Sequence, residues 1–167
     1  MMWKYYKRPD GDRGVFAFAA DGSQDEFIPS GLVEMSDAEV QAHIAPPLAS
    51  TADVDAERDR RIDAGVEFQG VMFQSQATDR ENIAGAAQLG FMAMMAGAQP
   101  GDLRWSNPDE DFVWIASDNS LVPMDASAVV EFGKVAAQRK QALIMAGRQL
   151  KDIDPIPSDY IDDKWWS

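Results

Sequence analysis

The chain has 167 residues, with 15 Lys and Arg against 28 Asp and Glu, one His, no Cys, five Trp and nine Met. That length holds one ordinary domain or two very small ones, and a composition that is 46% hydrophobic and 26% charged can bury a core. The absence of Cys excludes disulfides, thiol catalysis and the usual structural zinc sites, a single His argues against a His-based metal site or triad, and a net charge of −13 disfavours nucleic-acid backbones and anionic membrane faces.

In chain order, residues 3–8 read as a short aromatic strand and residues 15–18 as a second, separated by a turn over Pro9 to Gly14. Glu26-Phe27-Ile28 follows an Asp21-Gly22 turn. Ser36 and Glu39 form a capping box for a helix over 37–44, which Pro46-Pro47 stops. Leu48 to Ala52 reads as a linker. A charged helix then runs from about Ala52 to Ala64, with Gly65 as its C-cap. Val66 and Phe68, then Val71 and Phe73, flank Gln69-Gly70 as a tight hairpin.

Thr78 and Glu81 suggest a second capping box, opening a helix whose stripe is Ile83, Ala87, Gly90 or Phe91, and Met94. Met92, Met94 and Met95 read as core filling. Leu103 to Ser106 and Phe112 to Ala116 look like two strands, with Trp105 and Trp114 as core residues. After a turn at Ser117 to Ser120, Asp125 caps a long helix over about 126–150, with Val129, Phe132, Ala136, Leu143 and Leu150 near one face. The expected fold class is therefore α+β. It comprises a small β-rich module over 1–47, a three-helix domain with two β-hairpins over 48–151, and an acidic, Trp-ended tail over 152–167.

The amino terminus lacks the apolar region of about 7–15 residues that a signal peptide needs. Residues 83–98, interrupted by Gln88 and three glycines, fall short of the roughly 20 residues of a membrane span. No membrane or nucleic-acid partner is expected. Only residues 125–151 are net basic, with five positive against two negative charges, and the tail that follows has one against five. Either the basic residues form a solvated helix face, or the tail folds back on this helix or on a neighbouring subunit's.

Candidate chemistry is sparse. His43 lacks partner ligands in sequence. Asp109-Glu110-Asp111 and the group Asp159, Asp162 and Asp163 offer oxygen ligands but not the EF-hand spacing. Arg139, Lys140, Arg148 and Lys151 lack interleaved aromatics. No catalytic, cofactor or metal residue is assigned, and no cofactor is expected. Trp165 and Trp166 are expected not to reach the domain's own core easily, and so to anchor a partner or a neighbouring subunit with Ile156, Tyr160 and Ile161, with docking on the chain itself as the alternative.

From Ala56 to Lys151, the runs Glu57-Arg58-Asp59-Arg60-Arg61-Ile62, Gly65 to Gln74, Asp79-Arg80-Glu81-Asn82-Ile83, Trp114 to Asn119 and Val122 to Ala126 resemble an uncharacterised domain common in tailed-phage and prophage genes, often beside tail-fibre genes. The stretch from Asp21 to Pro29, with the Ser36-Asp37-Ala38-Glu39 helix start, is similar to the front of phage tail-fibre assembly proteins. The resemblance implies a non-enzymatic partner of a tail fibre or another tail protein, acting in assembly or attachment in the host cytoplasm. Self-association is compatible with it. The alternatives are a permanent component of the virion tail or baseplate and, further off, a polysaccharide-degrading tail enzyme.

Overall fold

The computed structural model describes residues 2–9, 14–45 and 48–167. The chain divides into two compact units, Met1–Pro47 and Leu48–Ser167. The fold class is α+β, with helices and small antiparallel strand pairs alternating along the chain.

In the first unit, β1 (Trp3–Lys7) lies between β2 (Val15–Ala19) and β3 (Val33–Glu34) in an antiparallel sheet. The register sets Tyr6 opposite Phe16 on one side and Glu34 on the other. The Tyr6 ring meets the Phe18 ring edge-on at 5.7 Å, a diagonal cross-strand pair of the kind that stabilises a two-layer ribbon. Most of the turn expected between β1 and β2 lies outside the described residues, as do Pro46 and Pro47. Glu26 and Phe27 form part of a single 3-10 turn, Asp25–Phe27.

Helix α1 (Asp37–Ile44) starts where the Ser36 and Glu39 pattern sets it. The Ser36 backbone N–H donates to Glu39 Oε2 at 2.9 Å, and the Glu39 N–H donates back to Ser36 Oγ at 3.4 Å. Glu39 also accepts from the Lys7 ammonium on β1. That ammonium, followed by the cap bonds from Ser36, holds the Glu39 carboxyl down to a pKa of about 2.

The second unit opens with α2 (Thr51–Asp63), capped by reciprocal bonds between Ser50 and Asp53. Gly65, at φ 117°, makes the turn into β4 (Val66–Phe68), which pairs with β5 (Val71–Phe73). Gln69 and Gly70 both have positive φ, 51° and 77°, the two-residue turn whose twist matches that of the strands it joins.

Helix α3 (Ala77–Met95) begins one residue before Thr78. Its first turn is closed by Asp79, which accepts the Gln76 N–H at 2.9 Å, and not by Glu81. The second hairpin is β6 (Val113–Ile115) with β7 (Leu121–Pro123). Residues 103–106 form turns instead of the expected strand. They make one backbone bond to the next segment, from Phe112 N–H to Leu103 O, and the Trp105 indole N–H caps Met124 O at 3.0 Å. The ladder forms across residues 116–120 because that turn is short and self-supported. Asp118 Oδ1 accepts the Ser120 N–H at 2.9 Å, and Asn119 adopts φ 66°, a conformation asparagine tolerates.

Helix α4 (Ala126–Lys151), capped by the Asp125 carboxylate on the Ala128 N–H, serves two cores. Its first half places Phe132 against Phe73, Phe68 and Trp114, with centroids 4.7, 5.4 and 5.6 Å away. Val66, Ile83, Ala116, Met124 and Val129 complete this cluster. Its second half buries Leu143 and Leu150 with Val54 and Ile62 of α2 and with Trp166. Helix α3 crosses α4 on small residues. A Cβ on Gly133 would stand 2.5 Å from Ala87 Cβ, and one on Gly90 would stand 2.9 Å from Ala126 O.

Candidate functional site

Alternation along β6 and β7 turns Trp114 and Val122 toward the first core and the intervening residues away from it. Val113, Ile115, Leu121 and Pro123 are all exposed on that outward side, with Ile115 57% and Leu121 64% accessible. Ile115 is directly opposite Leu121, and Val113 opposite Pro123, so the four form one apolar face of a two-stranded ribbon. An exposed ribbon face would ordinarily be polar. A contiguous apolar patch of this kind is a candidate interaction site.

The same face borders a cleft of about 480 Å³ formed by the hairpin and the start of α3. Val113 and Ile115 of the hairpin line it together with polar groups from Gln74, Asp79, Asn82 and Asn119. An apolar centre beside a rim of amide donors and acceptors can bury a partner's hydrophobic side chains and satisfy its backbone. The signal was present in the sequence. Val113-Trp114-Ile115 and Leu121-Val122-Pro123 are apolar at every position, which puts apolar side chains on both faces of the hairpin.

The residues expected to anchor a partner are placed differently. Trp166 is only 6% exposed and packs in the second core. Its ring lies 3.5 Å from the Cβ position of Gly147 on α4, and its indole N–H donates to Tyr160 O at 2.7 Å. Ile156, Tyr160 and Trp165 are partly buried against the same cluster. Ile161 is exposed. The expectation that the Trp pair cannot easily reach the domain's own core is corrected here. Gly147 leaves a gap on α4 into which the indole fits, and the cis Asp154–Pro155 bond lies in the segment that returns the chain to it.

The returning tail meets both helices: Asp152 pairs with Arg148 of α4, and Asp163 pairs on α2. Arg61 pairs with Asp163 at 2.8 Å and donates to Ile161 O at 2.6 Å. Glu57, buried beneath, accepts from Arg60 at 2.6 Å and from Arg61 at 2.7 Å. These hydrogen bonds, that from Arg60 foremost, hold its pKa below the ordinary carboxylate value. Of the basic residues on α4, Arg139 donates to Arg61 O at 2.9 Å and Lys151 pairs with Asp55 at 2.6 Å. Burial, with the nearby Arg61 charge, lowers the Arg139 pKa.

Met92, Met94 and Met95 do not fill the core. They are exposed, as is Phe91: Met92 and Met95 stand on the side of α3 turned away from α4, and Met94 lies beyond Gly90, against which α4 begins at Ala126. His43 meets the Tyr5 ring edge-on at 6.0 Å. Asp111 pairs with Arg104, and Asp159 with Lys164. Among the described residues, no group of three or more His, Asp or Glu is arranged to hold a metal ion, and no helix is long and apolar enough to cross a membrane.

Residues 46–163 match the family described as Domain of unknown function (DUF4376), and the chain belongs to that family. No curated protein and no solved structure matches the chain.

Proposed function

We propose that this chain is a non-enzymatic tailed-phage protein that binds the tail fibre and acts in its assembly or attachment, within the host cytoplasm while particles are built. The resemblance of residues 56–151 to a domain found beside tail-fibre genes supplies the context. The observation that carries a binding role is the apolar face of the β6–β7 hairpin, Val113, Ile115, Leu121 and Pro123, beside its amide-lined cleft.

The mechanism is surface burial. An unfinished fibre exposes apolar side chains and unpaired strand edges that would otherwise pair with one another. The hairpin face covers the side chains, the amides of Gln74, Asn82 and Asn119 meet the backbone, and the net charge of −13 keeps the complex dispersed.

The test is co-expression with the adjacent tail-fibre protein, followed by size-exclusion chromatography with light scattering. A mixed complex is the expected result. A chain that elutes apart from the fibre at every concentration overturns the reading. Stoichiometric presence in purified particles would instead identify a permanent tail or baseplate component.

A further inference from the structure

Between Ile83 and Gly101 the sequence contains no Asp, Glu, Lys, Arg or His, in a chain where charged residues make up 26%. This charge-free run includes most of α3, and only part of it faces α4. On the outward side, Leu89, Phe91, Met92 and Met95 are exposed, Met95 by 75%. With Ala84, Gly85, Gln88 and Ala96, also exposed, they form two adjoining stripes at helical spacing: 84, 88, 91, 95 and 85, 89, 92, 96.

Gly85 has no role inside the molecule. A Cβ there would meet nothing within 4 Å, whereas Gly90 and Gly133 are each required by the α3–α4 crossing. A glycine in an exposed helix interior weakens the helix, so its use points to a close approach from outside.

We propose that the outward face of α3 is a homodimer interface, in which two copies pair antiparallel about a two-fold axis between Gln88 and Leu89. Three observations favour a second copy as the occupant. The stripe is self-complementary in that register, because Gly85 of each copy falls opposite Met92 of the other, and the small Ala84–Gly85 end receives the bulky Phe91–Met92 end. This is the isologous arrangement a two-fold axis requires.

The second observation is electrostatic. Two chains of −13 repel over most of their surfaces, and the stated axis sets residues 83–94 of one copy against residues 83–94 of the other, a span without a charged side chain. The third is area. Covering these side chains removes roughly 500 Å² per copy, about 1,000 Å² for the pair, the lower bound for a biological interface and the size of a weak, reversible dimer. The face is distinct from the β6–β7 hairpin face, so a dimer would present two fibre-binding faces.

The experiment is light scattering on the full chain and on Met92→Glu and Ile115→Asp variants, together with oxidative cross-linking of single-Cys variants, for which the Cys-free chain is a clean background. The expected mass is twice 18.4 kDa for the wild type and Ile115→Asp, and 18.4 kDa for Met92→Glu with unchanged circular dichroism. Gln88→Cys, next to the axis, should form a disulfide-linked dimer, while Met95→Cys, far from its own symmetry mate, should not. A wild-type monomer at 100 µM, or a dimer that survives Met92→Glu, overturns the interface. Equal cross-linking of both Cys variants overturns the antiparallel register.

Discussion

The guanidinium of Arg61 lies over the Trp166 ring, 5.2 Å from its centroid, and this contact joins α2 to the segment that follows α4. The same side chain reaches Glu57 and Asp163, and its backbone carbonyl accepts from Arg139 of α4. The tail is thus a structural layer of the second core. Trp166→Ala should cost about 3–5 kcal/mol, the usual cost of emptying a large buried aromatic site. Ile161→Ala, at an exposed position, should stay within about 0.5 kcal/mol. Urea unfolding of the two variants beside the wild type measures both. Deleting residues 152–167 should destabilise the second unit rather than detach a docking arm.

Glu57 makes stability depend on pH in a defined direction. Its folded pKa is lowered, so its contribution is complete above the unfolded value of about 4.3. That contribution is lost as pH falls through the lower folded value. The stability difference between the wild type and Glu57→Gln should therefore be flat from pH 7 to about 5.5 and shrink below about 4. Urea midpoints at stepped pH give the difference. A gap that widens toward acid would mean that the ion pairs to Arg60 and Arg61 do not stabilise the fold.

Two glycines on facing helices should respond oppositely to alanine. At Gly133 the new methyl would stand 2.5 Å from Ala87 Cβ, and neither group can rotate away. The substitution should cost about 1–3 kcal/mol despite the better helix propensity of alanine. At Gly85 the methyl meets nothing, so Gly85→Ala should stabilise by about 0.5–1 kcal/mol. Thermal unfolding in a Met92→Glu background separates these effects from pairing between chains.

Gly65 is constrained twice. Its φ of 117° is one that L side chains rarely adopt, and a Cβ would stand 2.8 Å from Phe73 O. Gly65→Ala should cost about 1–3 kcal/mol, read from the denaturant midpoint. A neutral outcome would show that the α2–β4 connection can relax.

Local chemistry made much of this fold legible. The Ser36–Glu39 box, the Gln69-Gly70 turn and the Asp125 cap each form the element their residues imply. The start of α3 was misread because Thr78 and Glu81 satisfy the same pattern as a true cap, while Asp79 takes the Gln76 N–H. What sequence could not supply was relative position. Methionines at helical spacing look like core until α4 is seen to pack against Ala87 and Gly90, which turns Met92 and Met95 outward. Trp166 looks exposed until the tail is seen to return to Gly147. The hairpin face stays out of sight as long as residues 103–106 are read as a strand and β7 is not.

The most direct test of fibre binding through this hairpin is the affinity of an Ile115→Asp, Leu121→Asp double variant for the purified tail-fibre protein, measured by calorimetry beside the wild type. Both side chains are exposed, so the variant should fold with an unchanged circular dichroism spectrum. Its affinity should fall at least a hundredfold, about 2.7 kcal/mol. A folded double variant that binds the fibre as tightly as the wild type would contradict the assignment of the hairpin as the fibre-binding face.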